Sequence, residues 1–307
     1  MVCRIAIVGL GKIARDQHLP AIAATPGVEL AAIVSPGALL PATPCFETLA
    51  QAFASGVPID AVALCTPPQI RRSLAAAALA DGKHVLLEKP PGATVAEIEP
   101  LIAAAGAARL TLFATWHSRY AEAVQPARAL LAHRAIHAAR IDWREDVRVW
   151  HPGQAWIFEP GGLGVFDPGI NALSILTAIL PRPVYVTAAT LDFPANRDAP
   201  IAAAIDLQDT AGLPIRAEFD FLQIGPQTWT ITVDTDRGPL VLSDGGQRLS
   251  DAGKTLVDAG NHEYRGLYAR FADLVASGQS DVDLAPLRLV ADAFMLGRRR
   301  TVALFDD

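Results

Sequence analysis

Short apolar runs alternate with stretches of helical spacing through the first 116 residues. Residues 4–8, Val28–Val34, Ala61–Cys65, His84–Leu87 and Leu110–Ala114 are predicted as strands. They lack the polar alternation of a half-wet strand and fit a parallel sheet buried on both faces. Helices are predicted near 12–24, 49–54, 71–80 and 95–105. This rhythm defines an α/β domain over residues 1–120, a Rossmann domain with a doubly wound parallel sheet. From residue 121 the pattern changes. A helix over 121–132 precedes alternating segments at 141–143, 184–191, 201–207, 215–221, 228–233 and 240–242, with turn signals at Asp236-Arg237-Gly238 and Asp244-Gly245-Gly246. One helix, at about 169–180, interrupts them. Residues 121–307 therefore read as an α+β domain with an open-faced, mostly antiparallel sheet.

The first strand leads into Gly9-Leu10-Gly11-Lys12-Ile13-Ala14, a G-x-G-x-x-A pattern. Gly9 suits the tight turn, Gly11 lets the backbone approach a pyrophosphate, and Ala14 lets the helix pack close to the strand. The motif lies between a strand and a helix, the context a dinucleotide site requires. Ligands of such sheets bind beyond the carboxyl ends of the strands. Thr66-Pro67-Pro68, Glu88-Lys89-Pro90 and Trp116-His117 all fall at such ends. After the second strand, Ser35-Pro36-Gly37 offers neither an adjacent acid for a ribose hydroxyl nor an arginine for a 2′-phosphate. The expected preference is NAD, modestly, with measurable use of NADP.

The chain has four lysines against 22 arginines. A lysine at a buried strand end, beside Pro90 and Pro91, reads either as a solvated cation or as a group whose proton is used, a task that guanidinium cannot perform. Residues 142–171 hold Trp143, Trp150 and Trp156 among acids, arginines and His151. Aromatic faces with convergent polar groups suit a sugar, although each tryptophan could equally be core. Asp167 and Asn171 are four apart, on one helix face. Asp167-Pro168 also fits a helix cap followed by a first-turn proline. The preceding Gly161-Gly162-Leu163-Gly164 suggests a backbone passing close to a ligand.

Composition narrows the classes. With 51% hydrophobic residues over 307, the chain can bury a large core. A net charge of −6 and 19% charged residues argue against a nucleic-acid partner. No stretch has the uniform apolarity of a membrane span, and Arg4 leads into a strand pattern rather than a leader sequence. Cys3, Cys45 and Cys65 are scattered, as expected of a reducing cytoplasm, and no Cys/His cluster has metal-ligand spacing.

The glycine motif, Glu88-Lys89-Pro90 and the Gly-rich loop leading to Asp167-x-x-x-Asn171 together resemble the glucose–fructose oxidoreductase and inositol dehydrogenase (Gfo/Idh/MocA) family, over nearly the whole chain. Residues 11–20, 88–92, 150–156, 164–174 and 286–294 are similar to its bacterial D-galactose and L-arabinose 1-dehydrogenase members. The resemblance implies an NAD(P)-dependent enzyme that oxidises the anomeric C1 hydroxyl of a monosaccharide to the lactone. It implies a cofactor site of Gly9, Gly11, Lys12, Ile13, Ala14, Ser35, Thr66, Pro67, Glu88 and Lys89. Catalysis would rest on Lys89, Asp167 and Asn171. His117, Glu145, Trp150, His151 and Trp229 would line the sugar pocket with Asp167 and Asn171. Many family members carry a histidine where this chain has Asn171; the sugar subgroup shares the asparagine. A homo-oligomer, dimer or tetramer, paired through the open sheet face, is also implied. The rivals are a non-catalytic dinucleotide-binding regulator and an oxidoreductase acting on another polyol or an imine.

Overall fold

The computed structural model describes residues 2–306. The chain divides into two compact units. One runs up to His117 and takes in Tyr264–Asp283; the other holds Ser118–Glu263 and the chain from Leu284 onward.

The first unit is built on β1 (Cys3–Val8), β2 (Val28–Val34), β3 (Cys45–Phe46), β4 (Ala61–Leu64), β5 (His84–Leu87) and β6 (Leu112–Ala114). They form one parallel sheet in the order β3-β2-β1-β4-β5-β6, the doubly wound order of dinucleotide-binding folds. The connections carry α1 (Leu19–Ala24), α2 (Leu49–Ala54), α3 (Pro68–Ala80) and α4 (Glu99–Ala108). A π-helical turn, Ala14–His18, leads into α1. Ile5, Ile7, Val62, Leu64 and Leu86 have no accessible surface, because helices cover both sheet faces. The strand order reverses between β1 and β4, and Gly9 and Cys65 follow these two strands.

The second unit opens with α5 (Val124–Leu131), β7 (Ile136–Arg144), the single turn α6 (Val147–Trp150) and α7 (Phe166–Ile179). Then come β8 (Val184–Pro194), β9 (Ala202–Asp209), β10 (Pro214–Asp220), β11 (Thr228–Thr235), β12 (Gly238–Ser243), β13 (Arg248–Asp251) and β14 (Lys254–Asp258). After α8 (Glu263–Ser277), nearly all of which belongs to the first unit, α9 (Ala285–Leu296) and β15 (Gly297–Val302) complete it. The nine-stranded sheet has the order β14-β13-β12-β11-β7-β10-β9-β8-β15 and is antiparallel except at β7–β10 and β8–β15. Its strands alternate. Ile141, Trp143, Ala217, Phe219 and Ile205 are buried beneath α7 and α9, and Phe166 of α7 meets Phe219 edge-on at 5.7 Å. The other face carries ion pairs such as Arg144–Glu218 at 2.5 Å and Arg140–Asp142 at 2.6 Å.

Some elements depart from the sequence expectation. α4 starts at Glu99 rather than 95; the residues before it form a turn closed by the Ile98 N–H on Val95 O at 3.2 Å, with Glu97 accepting the Thr94 N–H at 2.9 Å. α7 starts three residues before the expected position, since Asp167 and Pro168 lie inside its first turn. In the first unit α8 packs on the sheet, with Phe271 stacked on Phe113 at 6.1 Å.

Candidate active site

In the first unit the expected cofactor residues gather at the carboxyl ends of β1, β2, β4 and β5. Gly9 has φ +89°, and a Cβ there would meet Thr66 Cγ2 at 3.1 Å and the Cys65 carbonyl at 3.2 Å. Only glycine fits that turn. At Gly11 an added Cβ would meet nothing within 4 Å, so the backbone there borders open space. The hydroxyl of Thr66, whose side chain faces Gly9, is buried with no hydrogen-bond partner among the described residues. An orphaned hydroxyl next to an open glycine turn is a fit for a dinucleotide. Ala14 is fully buried, as close packing demands. Ile13 and Lys12 are exposed, and the Lys12 ammonium pairs with Asp16 one turn on. Pro67 caps α3. Ser35 follows β2, its N–H bonded to Phe46 O at 2.9 Å. The parallel pairing of β2 with β3 also brings in an acid: Glu47 Oε1 accepts the Gly37 N–H at 3.1 Å. The Ser35-Pro36-Gly37 corner therefore does have a carboxylate beside it, contrary to the sequence reading, because strand pairing supplies it across the intervening loop.

Glu88 is 3% exposed, and its carboxylate faces inward. Oε1 accepts from Tyr264 Oη at 2.7 Å and lies 3.1 Å from His18 Nε2; Oε2 accepts the Lys89 N–H at 2.6 Å. His18 is wholly buried, and its Nδ1 shares a hydrogen bond with Tyr268 Oη at 2.7 Å. Burial alone would raise the Glu88 carboxyl. The hydrogen bond and charge of His18, with His117 and Tyr264, outweigh it and hold the group well below its ordinary range. Burial would likewise lower the His18 imidazole, but Cys65, Tyr268 and Glu88 hold it well above 6.5. Burial pushes the Tyr268 phenol up to about 12. Arg71 of α3, 3% exposed, donates to the carbonyls of Thr66, Glu88 and Pro90 and so ties together the loops after β4 and β5. Lys89 is half-buried. His117 stacks on Tyr264 at 5.1 Å.

The second unit brings together the remaining expected residues. Glu145, at the end of β7, is 2% exposed. Its Oε2 accepts the Trp229 indole N–H at 2.9 Å, and its Oε1 lies 3.0 Å from His151 Nε2. The other nitrogen of His151 stands 3.8 Å from Asp167 Oδ2. The result is a polar chain, Trp229–Glu145–His151–Asp167, drawn from β11, β7, the turn after α6 and the start of α7. Trp150 packs on Trp229 at 4.7 Å and is 39% exposed, whereas Trp143 is buried behind them. Such a surface offers a ring face and fixed polar groups, which suits a polyhydroxylated ring. Asn171 lies one turn beyond Asp167 on α7 and is partly exposed.

Two local readings change. Asp167 is not the helix cap: Val165 holds that position, and the Asp167 N–H already donates to Gly164 O at 2.8 Å. The Gly161–Gly164 stretch packs against its own chain. A Cβ at Gly162 would overlap the Trp156 carbonyl, and one at Gly164 the Pro200 carbonyl. The glycines there answer to chain crossing rather than to a ligand. Residues the sequence reading did not single out are His18, Arg71, Tyr264, Tyr268 and Glu47. Tyr264-x-x-x-Tyr268 has helical spacing, but nothing local links it to Glu88.

Residues 3–115 match the family described as an oxidoreductase family with an NAD-binding Rossmann fold. The chain belongs to this Gfo/Idh/MocA family. It is 47% identical over 316 aligned positions to a galactose 1-dehydrogenase from Pseudomonas fluorescens, with 99% of each chain covered. A crystal structure of a D-galactose-1-dehydrogenase protein from Rhizobium etli superposes with a TM-score of 0.94 at 53% identity, covering 99% of this chain and 98% of that one. A 3-ketoreductase from Actinomadura kijaniata, solved with NADP, shares the fold at a TM-score of 0.86 and 19% identity, over 98% of this chain and 100% of its own. The chain is thus a member of an oxidoreductase family, with whole-length relatives that are sugar dehydrogenases.

Proposed function

We propose that this protein is an aldose 1-dehydrogenase that oxidises the anomeric hydroxyl of D-galactose, and of L-arabinose where the pocket tolerates the missing hydroxymethyl group. The observation that carries the reading is the Trp229–Glu145–His151–Asp167 chain beside the open face of Trp150, in a chain nearly half identical to a galactose 1-dehydrogenase. NAD, when bound, supplies the hydride acceptor. The protein's part is to orient the sugar and manage the proton. Glu145 and Trp229 hold each other, so hydroxyl-binding groups are set before the sugar arrives. Lys89 and Asp167 are assigned to the proton of the C1 hydroxyl, and Asn171, which cannot take a proton, to orienting it. His117 is assigned to sugar binding on the family resemblance.

NAD is the preferred cofactor in this reading. Glu47 lies at the corner after β2, where a dianionic 2′-phosphate would meet a carboxylate. The three cysteines are free, in keeping with a cytoplasmic enzyme. Self-association through the charged open sheet face belongs to the same proposal. The deciding experiment follows reduced nicotinamide with D-galactose, L-arabinose and D-glucose as aldoses and inositol as a polyol, with NAD and with NADP. Turnover of galactose or arabinose with NAD is expected. Galactose and arabinose will separate by only about 1–3 kcal/mol in kcat/KM, the worth of a small group in a pocket. Nicotinamide binding without turnover of any aldose would favour a dinucleotide-binding regulator and overturn the proposal.

A further inference from the structure

Glu88 is the residue immediately before Lys89, yet its carboxylate turns away from the open edge of the sheet and into the protein. There it holds the Lys89 N–H on one oxygen and the His18 and Tyr264 side chains on the other. Tyr268 backs His18 from the opposite side of the ring. Arg71 takes the Glu88 carbonyl, in the peptide just before Lys89, and the Pro90 carbonyl, one residue beyond it. The peptide before Lys89 and the carbonyl of Pro90 after it are therefore gripped by side chains rather than left to a flexible loop. Two buried ionisable groups are an expensive way to fill a core, since apolar side chains of similar volume stabilise as well or better. Such an arrangement is explained if what it fixes must be held within a fraction of an ångström.

We propose that His18 and Glu88, supported by Tyr264 and Tyr268, are positioning residues for Lys89. Their hydrogen-bonded cluster fixes the backbone from which the Lys89 ammonium is presented, and through it they set the turnover rate without touching substrate. The inference rests on the assignment of Lys89 to proton handling. A displacement of about 1 Å at a reacting group costs on the order of 10²-fold in rate. The same cluster draws on residues far apart in sequence, His18 and Tyr268 being 250 positions apart, so its effect on Lys89 is a property of the folded unit alone.

The test is a cycle of His18→Asn, Tyr264→Phe and Tyr268→Phe, each made alone and in a Lys89→Met background. Single substitutions are expected to lower kcat by roughly 10- to 100-fold. KM for galactose and the binary affinity for NADH, read by fluorescence, should stay within about twofold. In the Lys89→Met background the same substitutions should cost nothing further, because the group they position is gone. Should His18→Asn fail to fold, the tyrosine variants decide, since each removes one hydroxyl and leaves the ring packing. If Lys89→Met alone keeps near-normal kcat, the role of Lys89 fails, and the positioning role with it. If Lys89→Met collapses turnover while the cluster variants leave kcat intact, or their costs multiply with that of Lys89→Met, Lys89 stands and the positioning proposal falls.

Discussion

Glu145 and Trp229 share a partly buried hydrogen bond of 2.9 Å, with the indole N–H aimed at a carboxylate that also faces His151. Neither partner is spare. Glu145→Ala would leave the indole N–H and the imidazole without their acceptor, at about 1–3 kcal/mol for each buried group. Glu145→Gln keeps an acceptor for Trp229 and loses the charge facing His151. The expected outcome is a roughly tenfold rise in KM for the sugar with Glu145→Gln, a smaller change in kcat, and unaltered NADH binding. Steady-state kinetics beside NADH titration check it. A fall in NADH affinity would remove Glu145 from the sugar site.

Val165, not Asp167, holds the cap position of α7, so the helix start does not depend on the Asp167 side chain. Asp167 is buried, and Asp167→Asn removes a first-turn charge worth at most about 2 kcal/mol to the helix. The Tm should therefore shift little while kcat falls by about 10²- to 10⁴-fold. Retained turnover would end its catalytic assignment. Asn171→Asp should retain more activity than Asn171→Leu, since a hydrogen-bonding side chain survives in the first and not in the second.

Cofactor choice should respond to Glu47. Glu47→Gln removes the carboxylate beside the Gly37 N–H and is expected to strengthen NADP binding more than NAD binding. Pro36→Arg should shift the preference further, roughly tenfold, by adding a cation that can pair with the 2′-phosphate. Binary dissociation constants for both dinucleotides give the readout. An unchanged ratio in both variants would place the discriminating contact elsewhere.

The buried pair also predicts how stability varies with pH. His18 is raised above its ordinary 6.5, so its contribution is complete below that value and is lost as pH rises through the folded pKa. Glu88 is depressed below its ordinary 4.5, so its contribution is complete above that value and is lost as pH falls through the folded pKa. Both are whole between about 4.5 and 6.5. Calorimetric Tm profiles should lose alkaline sensitivity in His18→Asn and acid sensitivity in Glu88→Gln. Profiles parallel to the wild type would show the pair to be neutral in the folded state.

The parallel sheet was legible because buried parallel strands are uniformly apolar, and the runs at Ile5–Val8, Ala61–Leu64 and His84–Leu87 could be read directly. The stretch from Trp143 to Asp167 stood out because unusual residues crowd into it, but Glu145, His151 and Trp229 were assigned to the site only through the family resemblance; Trp229 joins through the pairing of β11 with β7. Glu47 was not, since its approach to Gly37 depends on the register of β3 against β2. Nor were Tyr264 and Tyr268, whose partners lie across the sequence. Edge strand β15 escaped because its exposed arginines at 298–300 break the apolar alternation. The glycines at 162 and 164 misled because close approach to the chain's own backbone and close approach to a ligand demand the same residue.

The return of Tyr264–Asp283 to the first unit has a consequence for biosynthesis. Asp281 bonds along β6, accepting from Ala114 N at 3.0 Å and donating to Leu112 O at 3.1 Å, while α8 delivers the hydroxyls that enclose His18 and Glu88. Domains usually fold in the order in which the ribosome releases them, at about 5–20 residues per second. Here the strands of the second sheet from β7 to β14 emerge before the first unit can be completed. A nascent chain that has exposed only its first 120 residues carries an uncovered strand edge and a buried carboxylate short of its partners. The nucleotide-binding half is thus among the first parts translated and among the last finished, and a fragment cut after it should be aggregation-prone rather than a working dinucleotide module.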